Sequence, residues 1–94
     1  MEQKQIKVLI KKPEDMYGRM TYVNNHLAEL QRIVGGFIEV VQYRDLTIIC
    51  NDEGKLRKLE PNILLGQDLL VGTIIVCGTE EDYFSDIPCD FDHW

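Results

Sequence analysis

The sequence predicts a small α+β domain: a mostly antiparallel sheet of about five or six strands with one helix packed on it. Three observations carry this. Gln5–Lys11 alternates, with Ile6, Val8 and Ile10 on one side and Lys7 and Lys11 on the other. Leu27, Leu30, Ile33 and Val34 recur at helical spacing and stop at the pair Gly35-Gly36. Two largely apolar runs follow, residues 37–43 and 46–51, separated by two residues. A period of two marks a strand and a period near 3.6 marks a helix.

In chain order, the first strand ends at Lys12-Pro13-Glu14-Asp15, where Pro removes a ladder donor. Residues 17–23 form a second short strand, with Tyr17, Arg19, Thr21 and Val23 on one face and Met20 and Tyr22 on the other. Asn24 and Asn25 are candidate N-caps, since an Asn side chain can accept from the free N–H groups of a first helical turn. The helix is expected over 25–34, with Glu29, Gln31 and Arg32 facing water, and Gly35 supplies a left-handed cap. Ten residues are marginal as an isolated helix, so the sheet must hold it.

If Arg44-Asp45 is the loop between the two apolar runs, opposite residues sum to 89. Phe37, Glu39, Val41, Tyr43, Leu46, Ile48 and Cys50 then share one face, and Ile38, Val40, Gln42, Thr47, Ile49 and Asn51 the other. Arg-Asp is not a favoured primed turn, which leaves a longer loop and a shifted register open. Both faces are largely apolar, as expected of strands in mid-sheet or under a subunit contact. Asp52-Glu53-Gly54 reads as a turn, with Gly54 at positive φ. Residues 55–59 read as a more exposed strand, Pro61 to Gly66 as an irregular stretch or helical turn, and residues 73–77 as the last strand, closed by Gly78.

Length and composition bound the rest. Ninety-four residues suffice for one domain with a thin core and no deep cavity, so a pocket belongs on a sheet face, at a loop cluster or between subunits. The net charge of −6 is uneven: six of the sixteen acids, Glu80, Glu81, Asp82, Asp86, Asp90 and Asp92, lie beyond residue 79 with no Lys or Arg among them. Residues 1–79 are therefore expected as the domain and 80–94 as an acidic, aromatic-containing C-terminal tail, part of which docks on the body. That balance disfavours long nucleic acid as a partner. Three cysteines without paired spacing, no apolar leader at the N-terminus and no membrane-length apolar run point to a reducing cytoplasm and no membrane.

Catalytic machinery is not expected. Cys50 and Cys77 sit in apolar strands, where a free thiol behaves as a small hydrophobe. Asp86, Cys89, Asp90, Asp92 and His93 are metal-ligating types, but their spacing matches neither a closed zinc site nor a calcium loop, so no metal and no cofactor is predicted. Gly35-Gly36 lies at the wrong end of its helix for a phosphate. At the other end, Tyr17, Arg19, Tyr22, Asn24 and Asn25 offer aromatic faces, a cation and donors, the means to stack a base and clamp a phosphate; Tyr43 and Arg44 repeat the aromatic–Arg pairing at a hairpin tip. The alternative is a capped helix with exposed edge residues. Glu39, flanked on its face by Phe37 and Val41, must be paired within the domain or serve a ligand.

Four runs in order, Gly35-Gly36-Phe37-Ile38-Glu39-Val40, Cys50-Asn51-Asp52-Glu53-Gly54-Lys55-Leu56, Leu59-Glu60-Pro61-Asn62 and Gly72-Thr73-Ile74-Ile75-Val76-Cys77-Gly78, resemble the signature of domain-of-unknown-function family 3846. The resemblance implies a small accessory protein of phages and mobile elements in Gram-positive bacteria, in the neighbourhood of anti-restriction genes. Its shared polar positions are Glu39, Asn51, Glu53 and Asn62; Asn51 and Gly54 can be explained by the turn alone and Asn62 by capping a helical turn, and Glu39 and Asn62 are the better ligand candidates. The functional expectation is a non-enzymatic counter-defence protein, a homo-oligomer in the host-cell cytoplasm that sequesters a nucleotide-derived immune signal. The alternative is an acidic inhibitor that binds a host nuclease or restriction enzyme, a host defence protein, directly.

Overall fold

In a computed structural model of the chain, residues 4–88 are described. Eight strands and one helix follow in the order β1 (Gln5–Lys11), β2 (Arg19–Asn24), α1 (Leu27–Val34), β3 (Ile38–Tyr43), β4 (Leu46–Asn51), β5 (Pro61–Leu65), β6 (Asp68–Val71), β7 (Ile74–Glu80) and β8 (Tyr83–Ser85). The main sheet is antiparallel throughout and runs β2-β1-β7-β4-β3, with β8 added beside β7; β5 and β6 form a separate hairpin. The fold class is the one read from the sequence.

Both faces of the sheet are covered, and this explains why β4 is buried at all six positions. On one face Leu30 and Val34 of the helix meet Ile6, Val8, Ile49, Ile75 and Cys77. On the other, Leu70 with Ile63 and Leu65 of the hairpin covers Leu9, Ile48, Ile74 and Val76. A strand between two covered faces loses its polar alternation. The β3–β4 pairing has the predicted register, Ile38↔Asn51 through Tyr43↔Leu46. Arg44 turns the two-residue loop by taking φ +58°.

The helix stops where expected: Gly35 takes φ +83° and its N–H bonds to Gln31 O. It starts later than expected. The cap is His26, whose Nδ1 accepts from Glu29 N at 3.4 Å. Asn25 is instead buried and donates to Phe84 O at 3.2 Å, and Leu27, expected in the apolar stripe, is exposed.

Three further readings are corrected. Residues 52–58 are consecutive turns, not a returning strand, with Arg57 N bonded to Glu53 O and Leu59 N to Gly54 O. The positive φ expected at Gly54 falls on Lys58; Gly54 lacks room, since a Cβ there would meet Val71 Cγ2 at 2.8 Å. Pro61–Leu65 is a strand rather than an irregular or helical stretch, and Gly66 (φ +60°) opens a two-residue loop into β6.

The last long strand does not close at Gly78 but continues to Glu80, so the boundary drawn from charge at residues 79/80 falls inside β7. Beyond β8 the chain returns along the early half of β1. Lys7 N donates to Asp86 Oδ1 and Ile87 N to Lys7 O, both at 2.8 Å, and Ile87 is buried. Gly78 permits this crossing, because a Cβ would stand 2.5 Å from Asp86 O. Cys89, Asp90, Asp92 and His93 lie outside the described residues. Among the described residues no helix is long and apolar enough to cross a membrane.

Candidate ligand-binding groove

One end of the sheet gathers three chain segments around the last residue of β1. Lys11 follows Leu9 on the hairpin side, where the strand's alternation places it, and pairs with Ile74 of β7. It is only 7% exposed. Its Nζ donates to Asn62 Oδ1 at 3.0 Å, and Asn62 Nδ2 donates back to Lys11 O at 2.9 Å and to Gly72 O at 2.7 Å. This fixes the amide's orientation, since only its oxygen can accept from an ammonium. Asn62 reaches across because it is the extra residue of a β-bulge between Pro61 and Ile63, and a bulge re-aims a side chain.

Above Lys11 is an open groove of about 400 Å³. Its walls are Met16 and Tyr17 from the β1–β2 loop, Tyr43 and Arg44 from the β3–β4 turn, and Ile63, Leu64 and Leu65 from β5. The Arg44 guanidinium lies 5.3 Å from the Tyr43 ring centroid, within cation–π range. Tyr17, Met16 and Leu64 on the groove's rim are 68%, 80% and 65% exposed. The lining contains two cations and no carboxylate, in a chain whose net charge is −6.

The nine residues singled out from the sequence are thereby distributed. Tyr17, Tyr43 and Arg44 meet in this groove, and Asn62 lies behind it holding Lys11. Arg19 and Tyr22 border a second groove of about 370 Å³ on the helix side of the sheet, with Lys12 and Arg32; Arg32 is engaged with Glu29 at 2.9 Å. Asn24 accepts from Gln5 Nε2 at 3.3 Å, and Asn25 ties the helix entry to β8, so the helix N-terminus does not assemble the expected clamp. Glu39 is exposed rather than enclosed and borders a third hollow with Asp52, Asp68 and Lys55, in which Lys55 pairs with Asp68 at 3.0 Å. Lys11, read from the sequence as solvent-facing, is buried, and nothing local in the sequence distinguishes it from the exposed Lys7.

Two buried thiols lie elsewhere. Burial, with Glu39 as a further cause, pushes Cys50 up to about 11, and burial pushes Cys77 up to about 12, the reverse of what a nucleophilic thiol needs. Among the described residues no three His, Cys, Asp or Glu side chains come together to hold a metal.

Comparison with known families matches residues 6–92 to a domain of unknown function, DUF3846. The chain belongs to the DUF3846 family. The match spans both the helix-to-Gly78 region carrying the resemblance and the strands flanking it. No curated protein and no solved structure matches this DUF3846 chain.

Proposed function

We propose that this DUF3846 protein captures a nucleotide-derived anion in the Lys11 groove and holds it without turnover, as a counter-defence sponge for a host immune signal in the host-cell cytoplasm. One observation carries the reading: Tyr17, Tyr43 and Arg44, from two hairpin tips, converge beside a buried lysine in a groove without an acid. The exposed Tyr17 ring offers a face for a base, and Arg44 with Lys11 offers charge to a phosphate. The lining holds no carboxylate, imidazole or thiol, and its lysine is held by Asn62, which favours grip over chemistry. The groove is shallow and its rim apolar, so a second copy closing over Met16, Tyr17 and Leu64 would shield the ligand; we propose a homo-oligomer on that ground.

Isothermal titration against cyclic dinucleotides and ADP-ribose cyclisation products tests this. Binding is expected for at least one, with the ligand recovered intact after heating. Tyr17→Ala is expected to weaken it roughly 5- to 150-fold, the range of one base–aromatic stacking contact. No heat and no thermal shift across the panel, or a ligand consumed in many equivalents per chain, refutes the proposal.

A second reading, direct inhibition of a host nuclease or restriction enzyme, draws on Glu80, Glu81 and Asp82, three consecutive exposed acids at the β7–β8 turn. Removing residues 80–94 would also remove β8 and Ile87, so charge reversal at 80–82 is the cleaner test. Loss of counter-defence with groove binding intact would favour the inhibitor.

A further inference from the structure

Lys11 presents a charge that the fold itself does not balance. The residue is more than nine-tenths buried, and its ammonium donates to the neutral Asn62 amide. Among the described residues no carboxylate pairs with it; the ion pairs there are Arg32–Glu29 and Lys55–Asp68. An ammonium carries three N–H donors, and Asn62 takes one. A buried cation is tolerated when an anion or a set of acceptors meets it. Lys11 lines the groove, which also holds Arg44 and no acid.

We infer that Lys11 is an anion socket whose missing partner is a phosphate oxygen, and that Asn62 is a positioning residue that aims the ammonium into the groove. The inference rests on the groove reading above and deepens it by fixing which end of the ligand lies deepest. A phosphate suits the groove because its two charged lining residues, Lys11 and Arg44, are both cations and no carboxylate lines it. Asn62 is suited to its task by being neutral. An acid in its place would cancel the charge, and its second oxygen would face Lys11 O and Gly72 O, where the amide now donates at 2.9 and 2.7 Å. The bulge at Asn62 thus presents the lysine without neutralising it.

The test uses the full chain with adenosine, AMP, inorganic phosphate and pyrophosphate as probes, at matched ionic strength in chloride. Two readouts serve: thermal shift, and proton–nitrogen spectra of lysine ammonium groups in the unsubstituted protein. The expected result is a saturable shift of the Lys11 resonance with pyrophosphate and AMP, a thermal rise of several degrees, and AMP at least roughly tenfold tighter than adenosine, the discrimination typical of a hydrogen bond to a charged group. Lys11→Met abolishes the phosphate response while Lys11→Arg retains part of it. Equal binding of AMP and adenosine would overturn the socket and leave the groove reading standing. Phosphate binding with no gain from the base would sustain the socket and count against the nucleotide reading. No response to any phosphate-bearing probe overturns the socket; should Lys11→Met not fold, the spectra of the unsubstituted protein still decide.

Discussion

Loss of the Asn51 side chain should cost this fold two hydrogen bonds at once. Asn51 is 5% exposed and ends β4. Its Nδ2 donates to Val34 O at 3.1 Å, joining the last turn of the helix to the sheet, and its Oδ1 accepts from Glu53 N at 2.8 Å, opening the turn after β4. Asn51→Ala leaves both groups to find water. Glu53 is exposed, so its N–H is rehydrated and the loss is about 0.5–1.5 kcal/mol, whereas Val34 is buried and its carbonyl forfeits about 1–3 kcal/mol. The total, about 1.5–4.5 kcal/mol, is a large part of the 5–15 kcal/mol typical of a domain, and corresponds to a fall in Tm of roughly 6–36 °C. Urea unfolding followed by circular dichroism measures it. Asn51→Asp separates the two bonds: it keeps the acceptor for Glu53 N but sets an oxygen against Val34 O. If the aspartate variant matches the wild type within about 0.5 kcal/mol, the ordinary scatter of harmless substitutions, the helix-to-sheet link contributes nothing and the argument fails.

Other expectations follow from the packing. Gly78→Ala forces the chain near Asp86 away from β7 and should cost about 1–3 kcal/mol, as overpacking does; an unchanged urea midpoint would show that the crossing is loose. Leu30→Ala, at a side chain 1% exposed beneath the helix, should cost about 2–5 kcal/mol, read from the same denaturation curves. The thiols give a pH dependence. In the unfolded chain they lose their protons near 9, whereas folded Cys50 holds its proton to about 11 and Cys77 to about 12. Above pH 9 the unfolded state therefore binds fewer protons, so stability is full below about 9 and declines as pH rises towards 12. Urea midpoints at pH 8 and 10.5 check the decline. Alkylation of Cys50 and Cys77 at pH 8, mapped by mass spectrometry, should occur only at the rate of unfolding; labelling as fast as an exposed thiol would contradict the burial.

Where the sequence was legible, the signal was local. The β3–β4 register could be read because two residues separate two long apolar runs, and the helix end because Gly35 supplies a conformation that other residues resist. The helix start was not, because Asn25 is diverted by Phe84 O, fifty-nine positions away, leaving His26 to cap. Residues 55–59 imitate a strand by alternation, yet Leu56 is 80% exposed and bonds between turn residues replace the ladder. The β5–β6 hairpin had a readable sign that went unused: Gly66 is the first of two residues between apolar runs, the position a hairpin of the II′ kind gives to glycine. Part of the candidate groove was visible as Tyr17, Tyr43 and Arg44. Its floor was not, because Lys11 differs from Lys7 only in what β5 places over it, and the partner Asn62 is fifty-one positions distant.

An anion site in an acidic protein needs an electrostatic account, and the scale of screening supplies one. At physiological salt the Debye length is about 8 Å, so the net charge of −6 is felt weakly by a ligand until it touches the surface. Inside the groove, Lys11 is buried and its attraction is screened far less. The local field is then set by Lys11 and Arg44, while the rest of the surface still opposes any polymer that brings many phosphates close at once. A duplex carries one charge per about 1.7 Å of its axis and would bring many phosphates at once against a chain whose net charge is −6. A ligand carrying one or two phosphates meets only the groove. Discrimination against wrong partners by repulsion outside the site is as effective as added attraction within it. On the proposed reading the acidic surface and the cationic groove are therefore two parts of one selectivity device, admitting a small nucleotide and excluding nucleic acid.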